Sequence, residues 1–182
     1  MSTTSRVHIA LAYDGRMAAP KRDRPNMPKG YISTAPKGML SWPVTEKILK
    51  GAMYVWLATT NDDGAPHLIQ SWSVWVDGTL FFEGSDKTRW AKNIARDARV
   101  GFGFQTGDLA AYGDASAEIV RGPDHKSALK VARAYATKYG AKFKYRPKAA
   151  DYEKGHFFRA RPIKLIAFDV KKFNASAARF TF

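Results

Sequence analysis

The residues best suited to chemistry form one cation-rich turn between an apolar strand and a helix. It reads Glu83-Gly84-Ser85-Asp86-Lys87-Thr88-Arg89-Trp90-Ala91-Lys92-Asn93. A helix N-terminus offers unpaired N–H groups and the positive end of a dipole. Thr88 adds a hydroxyl, Arg89 a forked donor and Lys87 a point charge. With Ser85, Lys92 and Asn93 these are the parts of a phosphate cradle. The same residues also make a capped, solvated basic helix, and local sequence alone does not separate the two.

Other chemistries find little support. His8, His67, His125 and His156 are scattered and show no metal-ligand spacing. The absence of cysteine excludes disulfides, zinc–thiolate sites and thiol catalysis. There is no GxSxG elbow and no P-loop. Gly101-Phe102-Gly103-Phe104 is no dinucleotide fingerprint, because no helix follows it. Its glycines mark close backbone approach inside a strand. No nucleophile–base pair stands out.

The elements that must position the turn follow from pattern. A short helix is predicted from Ser41, with Pro43 in its first turn, Glu46 near its positive end and Gly51 closing it. Met53–Thr60 is rich in β-formers. Asn61-Asp62-Asp63-Gly64 is a hairpin turn, Pro66–Val76 a second strand, Asp77-Gly78 another turn and Thr79–Glu83 a third strand. After the Ser85–Asp97 helix come strands at Ala98–Gln105 and Leu109–Arg121. A helix over Pro123–Tyr139 ends at Gly140, and a basic loop fills 140–155. His156–Val170 is the sixth strand, where Pro162 implies an edge or a bulge. Hairpin-linked strands with few helices close best as a six-stranded antiparallel barrel with flanking helices, an α+β fold that is mainly β.

Composition sets the outer limits. The 182 residues suit one domain with an arm, and no stretch approaches the roughly 20 apolar residues of a membrane helix. The chain is therefore expected in the cytoplasm. Residues 1–40 carry Pro20, Pro25, Pro28 and Pro36 among Lys, Arg and Gly without periodicity, so they are expected to be an extended arm to a 41–182 domain. The net charge of +14 is uneven. Residues 1–50 hold 9 Lys and Arg against 3 Asp and Glu, 51–124 hold 6 against 10, and 125–182 hold 15 against 3. Basic ends attract anions, be they phosphates, nucleic acid, anionic lipid or a polyacidic cofactor tail. They also suit a merely solvated surface.

From Tyr54 to Phe104 the chain resembles the pyridoxamine-phosphate-oxidase-like split β-barrels, which include flavin and deazaflavin oxidoreductases. The matching pieces are Ala58-Thr59, Asp63-Gly64-Ala65-Pro66, Leu68–Trp75, Asp77-Gly78, Thr88-Arg89-Trp90-Ala91-Lys92-Asn93 and Asp97-Ala98-Arg99-Val100. The ending Ala178-Arg179-Phe180-Thr181-Phe182 is similar too, and the likeness extends over about residues 43–182. It implies a homodimer with two cofactor sites in its interface. A phosphate would lie against Thr88 and Arg89, and a ring system along Gln70-Ser71-Trp72-Ser73, whose backbone N–H groups would meet its polar edge. Arg179 and the terminal aromatics would close the site. Barrel packing accounts equally well for Trp72 and Trp75. Two positions depart from the family: its phosphate lysine is Trp90 here, and its C-terminal threonine is Ala178.

The cofactor implied is FMN, with F420 as the alternative, because F420 carries a polyglutamate tail that basic ends would attract. Hydride chemistry would belong to the cofactor, so no acid–base dyad is needed. A flavin or haem carrier and a nucleic-acid-binding module are the non-catalytic alternatives. Substrate, a small molecule, would be selected by loops at 106–112 and 140–155.

Overall fold

The computed structural model describes residues 19–182. Nine strands make one antiparallel sheet: β1 (Lys21–Asp23), β2 (Val55–Thr60), β3 (Pro66–Ser71), β4 (Ser73–Val76), β5 (Thr79–Phe82), β6 (Arg99–Thr106), β7 (Leu109–Arg121), β8 (His156–Asp169) and β9 (Ala178–Thr181). The pairing order is β1-β9-β8-β7-β6-β2-β3, with β4 on β5 and β5 on β8. The sheet curls without closing, since β3 ends the path on one side, and this is the open form of the expected barrel. Strand β8 holds it together. Its first half pairs with β5 and its second half with β9, while β7 lies along its other edge. The change of partner falls around Pro162, where β8 carries one extra residue, Ile163, against Asp114 and Ala115 of β7. A residue without an N–H fits at a break in the ladder.

The count exceeds six for two reasons. The expected strand over 66–76 breaks at Trp72, and both chain ends add a short strand. Extended arm residues Lys21–Asp23 pair with β9, because a strand edge templates chain that is already extended. Next to them, half-buried Arg24 donates to the carbonyls of Ala35, Lys37, Ala175 and Ala177. Tyr31 meets Phe173 edge-on.

Five helices flank the sheet: α1 (Trp42–Gly51), α2 (Arg89–Arg96), α3 (His125–Phe143), α4 (Ala149–Glu153) and α5 (Phe173–Ser176). In α1, Glu46 pairs with Lys50 one turn on at 2.8 Å rather than serving the N-terminus. Helix α3 is capped by Asp124, whose carboxylate accepts from Ser127 N–H at 3.0 Å. It runs past Gly140 and ends at Lys144, which takes a left-handed φ of 56°. Gly140 is not a stop signal: a Cβ there would lie 3.2 Å from the Arg146 guanidinium carbon, so the residue admits a returning side chain. The expected loop over 140–155 is accordingly the end of α3, a short connection and α4. The 106–112 segment likewise holds only a tight β6–β7 turn at Gly107.

Two apolar clusters hold the layers. One fills the barrel with Leu57, Phe82, Phe102, Leu165 and Phe180, covered by Ile48 and Leu49 of α1 and Trp90 and Ile94 of α2. The other seats α3 and α4 on the outside of β4 through Val74, Tyr135, Tyr139, Tyr152 and Phe157. Burial of this kind stabilises by about 1.5–3 kcal/mol per large side chain.

Candidate functional site

The two predicted groups of site residues meet at one end of the β4–β5 hairpin. The register sets Ser73 opposite Phe82, so Trp72 stands beside Glu83 and the turn that follows. Within that turn, Thr88 caps α2: its hydroxyl accepts from Ala91 N–H and donates to the Ser85 carbonyl at 2.8 Å. The Ser85 hydroxyl accepts from Lys87 N–H at 3.2 Å. Lys87, Arg89 and Lys92 are exposed, and among the described residues their charged groups make no hydrogen bond or ion pair. Three unpartnered cations around a capped helix start suit an anionic group, so these residues fit the phosphate of a flavin.

Four contacts hold this turn from behind. Glu83 accepts the Tyr145 hydroxyl at 2.7 Å and the Tyr152 hydroxyl as well. The Gly84 carbonyl lies 3.0 Å from His156 Nε2, and Asp86 pairs with Arg121 at 2.8 Å. Burial pushes the Glu83 carboxyl above its ordinary range, opposed by the two tyrosine hydroxyls. Gly84 also touches Trp90, for a Cβ there would fall 2.4 Å from the indole ring. Trp90 is only 8% exposed and packs on Phe82 and Phe158. Trp90, at the position where the resemblance implied a lysine, is thus a core residue that wedges the turn.

On the ring side the structure separates the four candidates. Gln70 is exposed and Ser71 half-buried on β3, the terminal strand, whose outer row of backbone groups is unpaired within the sheet. Trp72 turns inward and lies flat on Tyr139, with ring centroids 4.6 Å and planes 8° apart. The Ser73 N–H donates to the Tyr139 hydroxyl at 2.9 Å, while the Ser73 carbonyl accepts from Lys138 Nζ at 2.7 Å. That N–H is therefore committed within the chain. Asn93 is committed too: buried, it donates from its amide to Thr59 Oγ1 and Asn61 Oδ1, each at 3.0 Å. Arg179 makes a paired contact with Asp23 at 2.7 and 2.8 Å.

Pattern reading placed Glu83 in the turn without a role, and it missed Lys138, Tyr139, Tyr145 and Tyr152. Burial brings the Lys138 ammonium down to about 8; burial, with the Glu83 charge adding and the Ser73 backbone bond opposing, pushes the Tyr139 phenol up to about 12. The alternating cations and aromatics of Lys142-Phe143-Lys144-Tyr145-Arg146 were the available signal. Phe143 and Tyr145 turn onto Trp72, and the alternating cations Lys142, Lys144 and Arg146 are exposed.

One face of the sheet carries a further row. Gln70, Trp56, Gly103, Tyr112, Ile166, Arg179 and Asp23 stand opposite one another across seven strands. Trp56 is 48%, Leu68 60% and Tyr112 44% exposed, with Gly101 and Gly103 between them. Arg179 lies five strand spacings from Gln70, about 24 Å along the sheet. Among the described residues no helix is long and apolar enough to cross a membrane, and no group of three His, Cys, Asp or Glu is set to hold a metal ion.

An open antiparallel barrel with flanking helices, and a cation-ringed turn at the end of its β4–β5 hairpin, defines a split-barrel protein. A family model described as pyridoxamine 5'-phosphate oxidase matches residues 42–169, so the chain belongs to the pyridoxamine 5'-phosphate oxidase-like split-barrel family. Among solved structures, a conserved hypothetical protein of Mycobacterium tuberculosis is 26% identical. The match covers 76% of this chain and 90% of that one, with a TM-score of 0.60. An F420 reductase is 24% identical over 72% and 98% of the two chains, TM-score 0.52. The haem storage protein HutZ of Vibrio cholerae is 18% identical over 66% and 88%, TM-score 0.52. The last two are alike in fold alone. No curated protein matches the chain in sequence.

Proposed function

We propose that the chain is an FMN-dependent oxidoreductase acting on a small-molecule substrate in the cytoplasm, with two cofactor sites in a homodimer interface. The observation that carries this reading is the unpartnered trio Lys87, Arg89 and Lys92 at the capped start of α2, on the turn that the β4–β5 register brings next to Trp72. The Ser85 hydroxyl and Arg89 take the phosphate, Thr88 shapes the turn by capping α2 and donating to the Ser85 carbonyl, and Lys87 and Lys92 supply charge. Gln70 and Ser71 face the polar edge of the ring, while Trp72 and Ser73 hold the strand from behind through Tyr139. A bound flavin supplies hydride transfer at its N5. The apolar row around Trp56, Leu68 and Tyr112 is where the second copy sits. Arg179, far from Gln70 in its own chain, closes the partner copy's site.

An absorbance spectrum of protein purified without added cofactor, then titrated with FMN and F420, tests this. FMN retained with two flavin bands supports it. A Soret peak replaces it with a haem carrier, and colourless protein with salt-sensitive DNA binding replaces it with a nucleic-acid module. The F420-dependent reductase is the second reading. It is favoured by the exposed cations Lys142, Lys144, Arg146 and Lys148, displayed by a connection whose aromatics pack beside the ring strand.

A further inference from the structure

Tyr145 touches both halves of the site at once. Its ring meets Trp72 edge-on, with centroids 5.5 Å apart. Its hydroxyl donates to the Glu83 carboxylate at 2.7 Å. Trp72 is the break between β3 and β4, the ring side. Glu83 is the first residue of the turn that carries Ser85, Lys87, Thr88 and Arg89, the phosphate side. Tyr152, from α4, donates to the other carboxylate oxygen. Both tyrosines come from the α3–α4 unit, which is anchored by Tyr135, Tyr139 and Phe157 in the outer apolar cluster.

We infer that Tyr145, with Tyr152 and Glu83, is a positioning device that sets the distance between the phosphate-binding turn and the ring-binding strand. This rests on the cofactor reading above and adds residues to it. The turn itself is exposed, and exposed loops move unless something fixes them. A bidentate acceptor held by two phenols fixes its first residue. The wedge of Trp90 against Gly84 fixes the second, and the pairing of Asp86 with Arg121 fixes the fourth. The β4–β5 ladder relates the two strands at Ser73 and Phe82, and Tyr145 carries that relation one residue further, from Trp72 to the side chain that begins the turn. A ligand with both a ring and a phosphate spans that relation. A ligand with the ring alone does not.

The test compares FMN with riboflavin, which lacks the phosphate, and F420 with its phosphate-free chromophore. The proteins are the wild type, Tyr145→Phe/Tyr152→Phe and Tyr145→Ala. The double phenylalanine variant keeps the rings and loses the hydroxyls. Its affinity for the phosphate-bearing member of the bound pair should fall on the order of tenfold, equivalent to about 1.4 kcal/mol. Its affinity for the phosphate-free member should stay within about twofold. Tyr145→Ala should weaken both, because it also uncovers Trp72. Equal losses for the two members in the double variant, or no loss at all, overturn the inference. A wild type that binds both members of each pair equally overturns the phosphate reading itself, and the inference with it.

Discussion

Arg89 is the residue on which the phosphate assignment turns. Its guanidinium is exposed and has no carboxylate contact among the described residues. Arg89→Ala should therefore weaken FMN binding by about 1.5–3 kcal/mol, the scale of a charge-assisted hydrogen bond. The apo melting temperature should hardly move. Parallel loss of both in titration and thermal melts would make Arg89 structural. Glu83 behaves in the opposite way, since its environment is built within the fold. Its carboxyl is raised from an ordinary 4.5 chiefly by burial, with Tyr145 and Tyr152 opposing and Asp151 adding to the rise. A raised acid favours the protonated native state. Its contribution is complete below the ordinary carboxylate range and is lost as pH rises through the shifted value. Glu83→Gln mimics the protonated form at every pH. The variant's melting temperature relative to wild type should therefore rise from about pH 4 to about pH 7. A difference that is flat or falls over that range would show that the phenols outweigh the burial.

At the scale of elements, the arm and the turn invite separate tests. Deleting residues 1–38 removes β1 and the Arg24 contacts to four carbonyls. Arg24→Ala alone leaves those carbonyls to water and should cost about 1.5–3 kcal/mol. The deletion should cost at least as much, seen as a lower denaturant midpoint, while a midpoint unchanged in both variants would make the arm dispensable. The local devices were legible in sequence. The turns at Gly64 and Asp77-Gly78 carry the positive φ values that their types announce, and Pro162 marks a real break in pairing. The Thr88 cap and the exposed cations Lys87 and Arg89 were readable too, because they are contiguous in the chain. What stayed hidden depends on residues far along the chain. Ser73 N–H is taken by Tyr139, Asn93 by Thr59, and Glu83 by Tyr145. Periodicity describes which side of an element is apolar, and it does not say which distant phenol reaches a given carboxylate. Gly140 misled for the same reason. Its close neighbour, Arg146, comes back across a connection whose path only the folded chain defines.

At the scale of the whole molecule, assembly and charge decide between cofactors. The exposed row of Trp56, Leu68 and Tyr112 over glycines should bury well over about 1,000 Å² in a two-fold dimer. Trp56→Glu should yield monomers in light scattering, and an unchanged dimer would place the interface elsewhere. The basic connection bears on the ligand. Lys142, Lys144, Arg146 and Lys148 are exposed, and Phe143 and Tyr145 fasten the strip that displays them. Each exposed cation contributes little to binding, about 0.2–1 kcal/mol, and salt screens it. A polyglutamate tail meets several at once, whereas the phosphate of FMN meets the turn at Arg89. If F420 is the cofactor, its affinity should rise with tail length and fall steeply with ionic strength. Reversing Lys144 and Arg146 to glutamate should then erase the dependence on tail length and leave FMN affinity nearly unchanged. Trp90 leans the same way: with the family's lysine replaced by a core indole, the turn has one cation fewer for a terminal phosphate. Tight FMN binding, with no F420 binding even at low salt, would instead leave the basic strip as solvated surface and FMN as the cofactor.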